Sequence, residues 1–158
     1  MSVPASILSP EPEPGYTPPP RAEHLGLLRD EHGAPLLRLL YYTAESLLYA
    51  QWFGNLTAES VVAGARAALV AQQQLQPALL LNDKSVATGD WTESMDWLEV
   101  EWLPLTLRHG LRAFAYVFAP DMLNQPSALD FAARVSRQLS IQLFYDLDTA
   151  LTWLRRQA

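Results

Sequence analysis

Pro77-Ala78-Leu79-Leu80-Leu81-Asn82-Asp83, then Lys84-Ser85-Val86-Ala87-Thr88-Gly89-Asp90, then Trp91-Thr92-Glu93-Ser94-Met95-Asp96-Trp97-Leu98 is the stretch around which the chain is arranged. Pro77 to Leu81 is a continuous apolar segment, too short for a helix and bounded by Pro and polar residues. That pattern suits a central strand covered on both faces. Lys84 to Asp90 reads as a polar loop. Asp90 stands three residues before Glu93, so its carboxylate can accept from first-turn amides while Glu93 reaches back, which predicts a helix from about Trp91. Trp91, Met95, Leu98, Trp102 and Leu105 follow steps of three and four and form one stripe toward the sheet. Pro104, lacking an amide donor, should kink this helix, and Gly110 is its natural stop. Ligands of parallel sheets usually sit beyond the carboxyl ends of the strands. The candidate binding residues are therefore Asp83, Lys84, Ser85, Thr88, Asp90 and Trp91, with Trp97 off the buried stripe.

Toward the amino terminus, Leu36 to Tyr42 and Leu47 to Phe53 are rich in strand formers, and Thr43 to Ser46 between them suits a hairpin connection. They are expected to pair antiparallel. Leu25 to Leu28 is either a short strand or a packed extension. Gly54 should end the second strand, and Thr57 should cap a helix that buries Val61, Ala65, Ala68, Leu69 and Leu75 and turns Arg66 and Gln72 to Gln74 to water. Toward the carboxyl terminus, Leu111 to Ala119 reads as a strand and Pro120 to Pro126 as a loop. Ser127 caps a helix reaching about Leu139, and Ile141 to Tyr145 is the last strand. Asp146 caps a final helix with Leu147, Ala150, Leu151 and Leu154 on its apolar side. The sum is an α/β fold with a mostly parallel sheet of about five strands and an antiparallel first pair: strand, strand, helix, then three strand–helix units. Residues 1–22, with Pro10, Pro12, Pro14 and Pro18 to Pro20, have too little apolar surface to offset ordering and read as a disordered leader. Residues 23–158 form a single domain.

With 158 residues, 49% of them hydrophobic, the chain can build one real core. A net charge of −6 argues against a broad phosphate-binding surface, so no nucleic-acid partner is expected. Cysteine is absent, which removes disulfides, thiolate metal sites and Cys catalysis and is compatible with the cytoplasm. Neither a secretory leader nor an apolar run near the roughly 20 residues of a membrane span occurs.

Leu48-Tyr49-Ala50-Gln51-Trp52-Phe53-Gly54, Leu81-Asn82-Asp83, Glu101-Trp102-Leu103-Pro104 and Phe144-Tyr145-Asp146-Leu147-Asp148-Thr149-Ala150-Leu151-Thr152-Trp153-Leu154, in that order, resemble small bacterial proteins of the STAS type. The resemblance spans roughly Leu36 to Arg155. It implies the fold of anti-sigma-factor antagonists, a fold group that also includes CRAL-TRIO lipid-binding domains. The best-known site of that family is a phosphorylated serine at the start of the helix after the central strand, within an Asp-Ser-Ser/Thr-Gly pattern. Here Asp83-Lys84-Ser85-Val86-Ala87-Thr88-Gly89-Asp90 departs from it, with Ser85 near Asp83 but away from Gly89, so the switch is not carried over.

Lys84, Ser85 and Thr88 could hold an anion at the helix amino end, or Lys84 could simply pair with Asp83 or Asp90 while the hydroxyls serve as local caps. Trp91, Trp97 and Trp102 could line an aromatic pocket or only build core, Trp97 being the better partner contact. Glu93, Asp96, Glu99 and Glu101 have no nucleophile or basic orienter beside them, so no catalytic residue is assigned. His24, His32 and His109 are scattered, and no metal site is assigned. Gly89 is isolated, so no phosphate-loop or dinucleotide cofactor is called for. The expected function is a non-enzymatic, STAS-like regulatory module that meets a protein partner through the loop and helix after the central strand. The alternative is a carrier or sensor of a small ligand, lipid or nucleotide, with an unrecognised hydrolase below either. Oligomeric state is left open.

Overall fold

The computed structural model describes residues 10–119 and 126–157. Among these, six strands form one sheet in the order β1 (Glu23–Arg29), β2 (Pro35–Tyr42), β3 (Leu47–Trp52), β5 (Leu79–Lys84), β7 (Ala113–Phe118) and β8 (Ser140–Phe144). β1, β2 and β3 are antiparallel neighbours, and β3, β5, β7 and β8 run parallel. The expected antiparallel first pair and the parallel strand–helix units after it are present. Leu25 to Leu28 belongs to a strand and gives the sheet a further antiparallel edge. β4 (Gly54–Leu56) and β6 (Ala87–Gly89) form a separate two-stranded parallel ribbon.

One face of the sheet is covered by α1 (Ala58–Leu75), by a helical segment over residues 92–108 and by the helix Pro126–Val135; the other is covered by the helix Leu147–Arg155. Thr57 caps α1 as its sequence predicts: its hydroxyl accepts from the Ser60 amide at 3.2 Å, and the Ser60 hydroxyl accepts from the Thr57 amide at 2.8 Å. Gly64 on α1 is where the Trp52 ring lies, since a Cβ there would clash with the indole. Gln72, expected in water, is instead 1% exposed and donates to the Thr106 hydroxyl, a contact that crosses from α1 to the 92–108 segment.

The 92–108 segment is not one regular helix. A 3₁₀ turn over Thr92–Ser94 leads through Met95–Trp97 into a π turn over Leu98–Trp102, and α-helix resumes over Leu103–Arg108. Pro104 has no amide to give to an α-helical ladder, and the wider turn immediately before it, closed by the Leu103 amide on the Leu98 carbonyl, is where the chain accommodates this. Most of the predicted stripe survives the irregularity: Trp91, Met95, Leu98 and Trp102 are buried, and Leu105, past the π turn, is only partly so.

Three further expectations are corrected. The central strand starts later than Pro77 and continues through Asn82, Asp83 and Lys84. The supposed polar loop contains β6, held against β4, which Gly54 opens. Of the leader, Pro10 to Ala22 is tied down at Pro10, Glu13 and Tyr16, which contact His24 and Arg38. Of the loop expected over Pro120 to Pro126, residues 120–125 lie outside the described residues, as does the Ser127 side chain, while Pro126 already belongs to the helix Pro126–Val135.

Candidate functional site

Along β5 the side chains alternate between the two faces of the sheet. Leu80, Asn82 and Lys84 point with Ala50, Trp52, Phe114, Tyr116 and Phe118 into the aromatic layer beneath α1 and the 92–108 segment, while Leu79, Leu81 and Asp83 point with Tyr49, Ala113, Ala115 and Val117 to the opposite face. Asp83 and Lys84 are sequence neighbours separated by the sheet. The expected local pairing between them does not form.

Lys84 is 1% exposed. Its Nζ sits 3.9 Å from the centroid of the Trp91 ring and 5.0 Å from those of Trp52 and Tyr116. Among the described residues no carboxylate faces it. Burial pushes the amine well below the ordinary lysine range, because the charged form would lose its hydration. The cage walls are themselves braced. Trp52 donates its indole N–H to the Asn82 side-chain oxygen, the Asn82 side chain hydrogen-bonds the Tyr116 hydroxyl, and Trp91 stacks on Phe118 with centroids 6.3 Å apart. Burial also raises the Tyr116 hydroxyl far above the ordinary tyrosine value. A cavity of about 40 Å³ adjoins the Lys84 side chain, lined by Lys84, Asn82 and Tyr116 and otherwise by apolar side chains including Ala65, Leu98 and Phe131.

The rim above this cage is the turn from Ser85 to Asp90. The Asp83 carboxylate accepts from the Tyr49 hydroxyl at 2.5 Å and from the Ser85 amide at 2.9 Å, so one buried acid fastens the start of the turn. Burial, and then that hydrogen bond, raise the Tyr49 hydroxyl. Gly89 closes the turn with φ 110°, and a Cβ there would collide with the Leu56 carbonyl across the ribbon. Thr88 donates to Asn55 at 3.2 Å. Asp90 accepts from both the hydroxyl and the amide of Thr92, which holds its carboxyl below the ordinary value. Ser85, Thr88 and Asp90 are exposed, and Val86 projects from the turn at 59% exposure.

A second buried cation lies on the opposite face. Arg38, 4% exposed, is in register with Gln51, which is in register with Asp83. Its guanidinium meets both carboxylate oxygens of Glu13, donates to His24 Nε2 at 2.8 Å and stacks 3.6 Å from the centroid of the Tyr16 ring. His24 Nδ1 in turn donates to the Pro10 carbonyl at 2.8 Å. Hydrogen bonding to Arg38 lowers the Glu13 carboxyl to about 2.

The structure thus brings Lys84 and Trp91 together, places Asp83 behind the sheet, and leaves Ser85, Thr88 and Asp90 on the rim. Trp97 is apart from them, half-buried beside α1, with the Arg66 guanidinium 5.4 Å from its ring centroid. Sequence reasoning missed Trp52 and Tyr116 as the rings around Lys84, Asn82 as the group that braces them, and Arg38 altogether. Extending the alternation of β5 past Leu81 would have put Asn82 and Lys84 on one face.

No family model matches this chain, and no curated protein does. A solved structure that the chain is similar to is that of an uncharacterized protein from the DUF3478 family with a SpoIIAA-like fold from Shewanella loihica PV-4, with 20% identity over 84% of this chain and 93% of that one and a TM-score of 0.42.

Proposed function

We propose that the protein is a non-enzymatic interaction module whose partner, another protein, is met by the turn from Ser85 to Asp90. The observation that carries this is Val86: an apolar side chain 59% exposed at the tip of a turn whose two ends are fastened from behind by Asp83 and Gly89. A contact already held in shape loses little conformational freedom on binding. Around it the Thr88 hydroxyl donates to Asn55 and the Asp90 carboxylate accepts from Thr92, so the apolar tip is set in a polar rim, as recognition surfaces are. A photo-crosslinking amino acid at position 86, in the cell of origin, is expected to give a discrete protein adduct. The same probe at position 74, an exposed site on α1 near the other end of β5, is expected not to. Identical adducts at both positions, or none at 86, would refute the reading.

A second reading, a carrier or sensor of a small ligand, is favoured by one observation: the cavity beside Lys84, apolar but for Asn82, Tyr116 and the lysine itself.

A further inference from the structure

Lys84 is the chain's one lysine, beside ten arginines. The two are not equivalent in an apolar wall, because arginine stays protonated at any ordinary pH whereas a buried lysine can become a neutral amine. The chain supplies its surface cations with arginine and keeps its lysine where the side chain is almost wholly buried. Three aromatic faces surround that amine, and among the described residues no carboxylate does. The adjoining space of about 40 Å³ is about three to four times the roughly 10–15 Å³ that a single water needs, so it admits a molecule of about three heavy atoms.

We propose that this cavity is a covalent binding site for a small aldehyde, one of acetaldehyde's size, held by Lys84 as an imine. The nitrogen lone pair attacks the carbonyl carbon and forms the C–N bond. The carbonyl π pair goes to oxygen, which takes a proton from the nitrogen to give a carbinolamine. The hydroxyl then leaves with the second nitrogen proton as water, and C=N remains. Neither reactant nor product carries a net charge, which is what an apolar wall requires. A carboxylate ligand would instead bury an ammonium and an anion together, with only Asn82 and Tyr116 to hydrogen-bond the pair, and such burial costs more than the attraction returns unless the geometry is excellent. Asn82 and Tyr116 suffice for the single oxygen of a carbinolamine.

This inference rests on the small-ligand reading and is independent of the turn's role. The full chain is incubated with acetaldehyde and cyanoborohydride at pH 7, which reduces an imine to a stable ethylamine, and is read by intact mass and peptide mapping so that the α-amino group is scored separately. One ethyl group on Lys84 is expected. Ala65→Val, which adds methyl groups to the cavity wall, should largely abolish it while the chain stays folded by circular dichroism. Lys84 left unmodified in the folded protein, or modified equally in Ala65→Val, overturns the proposal. Acetaldehyde retained in native mass spectrometry without a reducible adduct also overturns it, but leaves the carrier reading intact.

Discussion

Arg38 and Lys84 are both cationic side chains buried in the same sheet, 4% and 1% exposed, on opposite faces and in opposite company. Arg38 has a carboxylate, an imidazole and a tyrosine ring; Lys84 has three rings and, among the described residues, no anion. The difference follows from what each group can shed. A guanidinium keeps its proton and so must be matched, and the chain does this by laying its amino-terminal segment over the sheet. An amine can give its proton up, and burial among rings drives it that way.

The largest effect should come from removing the cage wall. Trp91→Ala is expected to cost about 3 to 5 kcal/mol in urea unfolding, the range for deleting a buried large aromatic. Trp97→Ala, half-buried and outside the cage, should cost clearly less. Equal losses would mean that the wall of the Lys84 cage is packed no more tightly than the edge of the same layer where Trp97 lies.

The next test sets the cations against each other. Arg38→Met strands the Glu13 carboxylate and should cost about 2 kcal/mol, below the 3–5 kcal/mol of a fully buried pair because Glu13 keeps part of its hydration. Lys84→Met should be neutral or stabilising. The pH dependence sharpens this. A lysine whose folded pKa is depressed binds fewer protons folded than unfolded, so its contribution rises with pH, by up to about 1.4 kcal/mol per unit, until the ordinary lysine range is reached. Lys84→Met should flatten that rise in denaturant midpoints measured from pH 6 to 10. An unchanged slope would show the amine to be protonated in its cage.

The smallest effect belongs to Glu13, whose carboxyl is partly exposed. Its folded pKa of about 2 lies below the ordinary 4.5, so its stabilising contribution is present above 4.5 and is lost as pH falls toward 2. Glu13→Gln should shallow the acid limb of a thermal melting series across that window. If wild type and variant melt in parallel there, the leader does not hold Arg38 in solution.

Much of the architecture was legible along the chain. Thr57 and Asp146 announce their helices because a cap acts within three residues, and the stripe of Trp91, Met95, Leu98 and Trp102 is visible because helical periodicity is local. The candidate loop was legible only as a place. Lys84 reads as a loop cation because polar residues after an apolar run usually mark the strand's end, and nothing near it in sequence announces the rings of Trp52 and Tyr116. Gln72 was misread for the same reason: within a run of glutamines it looks solvated, yet its partner Thr106 is 34 residues away.

The sequence by itself determined the order of the main sheet's parallel strand–helix units, the antiparallel start, the caps at Thr57 and Asp146 and most of the buried stripe, all set by interactions a few residues long, whereas the expected Asp90–Glu93 cap does not form and the β4–β6 ribbon was not foreseen. Only the tertiary structure decided which charges are buried and with whom. Glu13 reaches Arg38 across 25 residues, Trp52 reaches Asn82 across 30 and Tyr49 reaches Asp83 across 34. The burial of a charge or polar group depends on such distant partners, and the pleat that sends Asp83 to one face and Lys84 to the other separates two groups that the linear chain presents as a pair.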